Sequence, residues 1–292
     1  MQFHGAQPLA RRDVLLGLSV AQPVPPYFDG LIAAFGAGRV GRFVHLGFWD
    51  EPPTPELLVT PGSFARAQLQ LNDRLLELAD LSDGQRVLDV GCGFGGTLEV
   101  VDRRYRHMTL MGLNLDFRQL AICKTLRPRP HNSLHWLQAD AGALPLASAS
   151  VERLLCFEAM FHFASRRQFF LEAARVLAPG GVVAVSDILL QRSAEHPGAP
   201  DNALQQAVLQ GFGPGPDFWG RDADLNALAA SAGLVCTYCC DVADATVPSH
   251  IFTAPEGASA RDPIGRAAAA LALLHRAGRL RYLLARFERP LR

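Results

Sequence analysis

At 292 residues, with 28 basic and 28 acidic side chains and a pI near 7.1, the chain has no global field to draw it to nucleic acid or an anionic membrane. Hydrophobic residues make up 49% and charged residues 19%, enough for one large core or one core with a cap. Six scattered cysteines suit reduced thiols better than a disulfide framework, and no apolar run reaches the roughly 18 residues that a bilayer crossing needs.

In chain order, Arg11-Arg12 before a short apolar stretch superficially resembles a twin-arginine export signal. The plainer reading is a short helix broken by Pro23, Pro25 and Pro26, and a cytoplasmic protein is expected. After Pro61-Gly62 a helical pattern runs from Phe64 to Leu78, with Leu69, Leu71, Leu75, Leu76 and Leu78 as its apolar positions. Apolar runs near 86–90, 108–113, 133–137, 151–157 and 181–189 then alternate with helix-length segments. Such alternation predicts an α/β fold built on a doubly wound, mostly parallel sheet. The rhythm breaks at 191–222, rich in Pro and Gly, which reads as an inserted lid. A sixth strand follows near 234–241, a second insertion at 248–278 carries an alanine-rich helix, and a last strand falls at 280–287. The organisation is thus an N-terminal segment, 1–62, followed by a core over 63–292.

The first predicted strand ends in Val87-Leu88-Asp89-Val90-Gly91-Cys92-Gly93-Phe94-Gly95-Gly96, which joins a buried strand, a carboxylate and a glycine turn. Glycines let backbone amides approach a small ligand closely. The spacing Gly91-x-Gly93-x-x-Gly96 also satisfies a dinucleotide fingerprint. Asp89, however, stands before the turn, where a carboxylate meets a ligand ammonium group, and that suits an amino-acid-bearing cofactor better. No metal is expected, because Cys236-x-x-Cys239-Cys240 has no second ligand pair at comparable spacing.

This stretch resembles the first motif of class I S-adenosylmethionine-dependent methyltransferases, and later segments resemble the motifs that follow it there. The resemblance implies a Rossmann-like seven-stranded sheet in the order 3-2-1-4-5-7-6, with S-adenosylmethionine as cofactor and S-adenosylhomocysteine as product. It implies cofactor contacts from Asp89, Gly91, Cys92, Gly93 and Gly95 in the turn. Asn114, Leu115 and Gln119 stand at the ribose, with Asn114 where the family often carries an acid. Asp140 and Ala141 stand at the adenine, and Phe157 closes the set.

Tyr27-Phe28-Asp29 and His45-Leu46-Gly47-Phe48-Trp49 resemble the N-terminal helical lid of the branch that includes cyclopropane synthases and sugar, sterol and tocopherol methyltransferases. There Tyr27 and Trp49 join the cofactor set and His45 the acceptor side. In that branch a His after the fourth strand and an Asp after the fifth serve as base and partner, matching His162 and Asp187. Glu158 is the third catalytic candidate, placed to support the loop or a cationic intermediate. Met160, Phe161, Phe212, Phe218 and Trp219 give the acceptor pocket an apolar, aromatic character.

The expected function is O- or N-methylation of a hydrophobic or aromatic small molecule of secondary metabolism, assisted by His162 and Asp187. C-methylation of an isoprenoid or other alkene is the alternative, and a catalytically silent cofactor-binding protein is the reading from another class. A nucleic-acid acceptor and stable membrane insertion are not expected, and the protein is expected to be a monomer or homodimer.

Overall fold

A computed structural model describes residues 24–51, 53–54, 60, 62–190, 202–215, 224–254 and 262–291. The paired arginines, Phe218, Trp219 and parts of both insertions lie outside the described residues.

Seven strands form one sheet: β1 (Arg86–Val90), β2 (Thr109–Asn114), β3 (Ser133–Gln138), β4 (Val151–Phe157), β5 (Leu177–Leu190), β6 (Val235–Asp241) and β7 (Leu280–Glu288). Their spatial order is β3-β2-β1-β4-β5-β7-β6, as expected, with β7 antiparallel to both neighbours and the other pairs parallel. Strand order reverses between β1 and β4, so the loops leaving those two strands face one crevice.

The central strands read as continuous apolar runs because both sheet faces are covered. Val87, Leu110, Leu155 and Tyr282 belong to one core cluster, and Leu88, Val90, Leu154, Cys156 and Phe287 to the other. Helices α1 (Tyr27–Gly36) and α2 (Ser63–Ala79) precede β1. On α2 the buried set Ala67, Leu71, Leu75 and Ala79 recurs every fourth residue, while Leu69, expected on the packed face, is 37% exposed. Helices α3 (Gly96–Arg104), α4 (Phe117–Cys123) and α5 (Arg166–Val176) connect the parallel strands.

β5 starts at Leu177, four residues earlier than its apolar run indicates. Val151 faces Leu177 but Arg153 faces Val182, so residues 178–181 are pushed out as a bulge, and Gly180 takes φ 75° there. Beyond β5 come α6 (Asn202–Phe212), α7 (Leu225–Ser231), the one-turn helices α8 (Ala243–Thr246) and α9 (His250–Thr253), and α10 (Pro263–Arg276). α6 packs on α10, so the described parts of the two insertions form one layer.

Candidate functional site

The turn after β1 is shaped as much by protein as by any ligand. Gly91 has φ 77°, and a Cβ there would stand 2.4 Å from the Cβ of Ala159, in the loop after β4. Gly93 has φ 52° and would press its Cβ to 2.8 Å from Val44. Glycine therefore lets the β1 turn, the β4 loop and the N-terminal strap of residues 42–49 meet. Gly95 starts α3 with φ 81° against Trp136 and does not line the cleft.

These segments line an open cleft of about 980 Å³, counted out to its solvent mouth. Of the expected cofactor residues, Tyr27, Asp89, Gly91, Cys92, Gly93, Asn114, Leu115, Gln119, Asp140, Ala141 and Phe157 all line it. Asp89 is buried, and its Oδ1 has no hydrogen-bond partner. Burial lifts its carboxyl pKa to about 7. An orphaned acceptor of this kind fits an incoming ammonium group, as on the methionine end of S-adenosylmethionine. At the end of β2, Asn114 Nδ2 donates to Gln119 Oε1 at 3.1 Å, and Asn114 Oδ1 accepts from the Asp116 amide. Asp140 Oδ1 accepts from the Gly142 amide at 2.7 Å, which aims this carboxylate along the rim.

Three polar side chains gather at the other end. Glu158 follows β4 with φ 42°, uncommon for a residue other than glycine. Its amide bonds the carbonyl and the hydroxyl of Ser186, each at 3.0 Å. Glu158 Oε2 accepts from the Leu46 amide at 3.0 Å and from the Tyr282 hydroxyl at 2.7 Å. Burial nevertheless raises its pKa to about 7 against those two donors. His162 lies 2.8 Å through Nε2 from the Tyr27 hydroxyl, and burial holds it near pKa 4, a neutral imidazole. His45 stacks on Phe157 at 4.9 Å, also held near 4 by burial. Phe28 and Phe163 complete this end.

Other expectations change. Asp187 does not stand at the end of its strand. It is fully buried inside β5, and its Oδ2 accepts from Arg166 Nε at 2.7 Å, so its partner is a guanidinium at the start of α5. Trp49 faces away from the cleft: its ring N–H donates to Ser249 Oγ at 3.1 Å and its ring stacks on Phe252. The neighbouring Gly47 explains the glycine of that motif, since a Cβ there would lie 2.5 Å from the Cβ of Ala67 on α2. Met160 and Phe161 are buried in the cores and do not line the cleft. Phe212 meets Tyr27 edge-on at 5.1 Å, behind the lining.

Sequence reasoning missed Arg42, Ser186 and Tyr282. Tyr282 reads only as one more apolar position of the last strand, and its hydroxyl acquires meaning once β7 is paired beside β5. Arg42 lines the cleft but is committed elsewhere: Nη1 donates to the Phe94 carbonyl and Nη2 to Thr125 Oγ1, each at 2.8 Å.

A sheet of this order, with its cleft at the β1/β4 reversal, an orphaned acid before a glycine turn and polar rims at 114–119 and 140–141, is the arrangement that the resemblance to class I S-adenosylmethionine-dependent methyltransferases implies. Sequence comparison agrees, residues 88–185 matching the family described as a methyltransferase domain. A methyltransferase of Streptomyces halstedii, GfsG, is 33% identical over 172 residues, covering 58% of this chain and 56% of that protein. The O-methyltransferase cnsE of Penicillium expansum is 26% identical over 253 residues, 86% of each chain. Among solved structures, the geranyl diphosphate C-methyltransferase of Streptomyces coelicolor A3(2) superposes with a TM-score of 0.71 at 18% identity, covering 91% of this chain and all of that one. The cyclase SpnF superposes at 0.70 with 20% identity, over 93% and 97% of the two chains. The chain thus spans little more than half the length of GfsG, and its likeness to the solved structures is one of fold. A geranyl diphosphate methyltransferase of this fold has been solved with S-adenosylmethionine bound, at 18% identity and a TM-score of 0.65. No described helix is long and apolar enough to cross a membrane. The described residues hold no cluster of three or more His, Cys, Asp or Glu placed for a metal ion.

Proposed function

We propose that this protein methylates a hydroxyl or amine of an uncharged, largely apolar small molecule, with Glu158 taking the acceptor proton. The observation that supports this most is the continuity of one cleft from Asp89 to Glu158 and the Tyr27–His162 pair. Bound S-adenosylmethionine supplies an activated methyl group, so the chain has to align, exclude water and remove a proton. Glu158 suits the last task because its pKa of about 7 lies near working pH. Tyr27 and His162 bring α1 over the acceptor end, and Asp29 pins the same helix by accepting from Arg118 at 2.6 Å. In this reading α1 and the strap form the lid.

The acceptor class follows from charge. Arg42 is the one arginine or lysine lining the cleft among the described residues, and its two terminal nitrogens already donate to Phe94 and Thr125. Among the described residues a diphosphate therefore has no uncommitted arginine or lysine to meet, which supports a neutral acceptor. The O-methyltransferase relatives support oxygen as the methylated atom.

Methyl transfer from labelled S-adenosylmethionine to a neutral phenol, a fatty acid and geranyl diphosphate tests the reading. Transfer to the phenol is expected, with Glu158→Gln lowering turnover by about 10²-fold or more and leaving S-adenosylhomocysteine affinity intact. Transfer to geranyl diphosphate alone would overturn the acceptor class. Binding without transfer to anything would favour a silent cofactor-binding protein.

A further inference from the structure

Glu158 is held from one side only. Its Oε2 receives both the Leu46 amide and the Tyr282 hydroxyl, whereas Oε1 receives no donor among the described residues. Tyr282 is fully buried in β7, and its oxygen also lies 3.3 Å from Ser186 Oγ, the hydroxyl that accepts from the Glu158 amide. The phenol thus touches the Glu158 carboxylate and the anchor of the Glu158 backbone at once, at a residue whose φ of 42° needs such support.

We propose that Tyr282 is a positioning residue for methyl transfer, which with the Leu46 amide captures one Glu158 oxygen and leaves the other for the acceptor proton. The inference rests on the reading of Glu158 as proton acceptor. A neutral donor at 2.7 Å favours the ionised carboxylate, so Tyr282 opposes the burial that would keep Glu158 protonated. The phenol stays protonated because burial and Glu158 itself push its pKa well up. The other titratable groups around Glu158 are Asp187, paired with Arg166 in β5 and α5, Tyr27 on α1, and the neutral His45 and His162. None of these four is seen to hydrogen-bond the carboxylate, and Tyr282 is the one side chain among the described residues that does.

The test is a carbon-13 titration of full-length protein with labelled glutamate carboxyls and bound S-adenosylhomocysteine, the Glu158 signal being assigned by its loss in Glu158→Gln. Tyr282→Phe removes one oxygen from a buried ring, and the Glu158 midpoint is expected to rise by about one pH unit. Turnover of the phenol acceptor at pH 7 then falls about fivefold and recovers at higher pH, since only the protonation step has moved. An unmoved or lowered midpoint, or a loss of rate equal at every pH, would overturn the proposal. Should Tyr282→Phe not fold, 3-fluorotyrosine in a Tyr27→Phe background makes the phenol a stronger donor, and the midpoint must fall. The titration needs no acceptor, so absence of turnover would sink the functional reading without deciding this one.

Discussion

Asp89, buried, and Glu158, half-buried, are two carboxyls of one cleft with the same lifted pKa, about 7, and different neighbours. Glu158 has two donors on one oxygen, whereas Asp89 Oδ1 is buried with no donor, open to a ligand. A ligand ammonium therefore has to bind the ionised form of Asp89, and affinity for S-adenosylhomocysteine is expected to rise between pH 6 and pH 8, by at most about tenfold per pH unit below 7. Calorimetry across that range checks it, and Asp89→Asn should bind weakly with no slope. The position of Asp89 was readable from the chain because a strand followed by a glycine turn fixes where the preceding acid points. Tyr282 was not, since a hydroxyl at the end of an otherwise apolar side chain gives no periodic signal.

At the level of elements, Arg166 and Asp187 join the start of α5 to the middle of β5 by a pair with no exposed surface. Arg166 Nη2 also donates to the Ile188 carbonyl at 3.1 Å. Losing one partner leaves a buried group without its counter-charge, so Arg166→Met is expected to cost about 3–5 kcal/mol in urea unfolding, while Arg166→Met with Asp187→Leu recovers most of that. Turnover of the double variant near the native level would mark Asp187 as structural. Strands and connecting helices were legible because β1, β4 and the later part of β5 are largely buried and read as apolar runs, spaced by helix-length segments. The direction of the Asp187 side chain was not, because it depends on an arginine 21 residues away that reads as a surface helix residue. Trp49 failed for a similar reason: the motif around it is kept by Gly47 against α2 and by Ser249, both remote from any ligand.

Across the whole molecule, low-pKa histidines outnumber the lifted carboxyls. His45, His162 and His275 are held near pKa 4 and His250 near 3, each chiefly by burial, and His250 Nε2 lies 2.9 Å from His275 Nδ1. Between about pH 4 and 6.5 the unfolded chain protonates these four while the native state does not, so each adds stability as pH rises. Asp89, Glu158 and Asp187, raised by burial, act the other way, retaining protons in the native state that the unfolded chain has lost. Four groups against three predict a small net rise in melting temperature of the ligand-free protein from pH 4 to 6.5, and a melting series across that window checks it. Most of the expected cofactor residues were legible in the sequence because they are drawn from one stretch, 89–141, whereas the seven-strand order came with the resemblance. The other half of the cleft is assembled from 25–45 and 157–163, with Tyr282 behind Glu158, which only tertiary packing brings together. The strap of 42–49 bridges these halves, touching the glycine turn at Val44, Glu158 at Leu46 and the segment after β6 through Ser249. The family match over 88–185 accordingly takes in the glycine turn and the β4 loop together, and leaves the strap that joins them, and Tyr282, outside it.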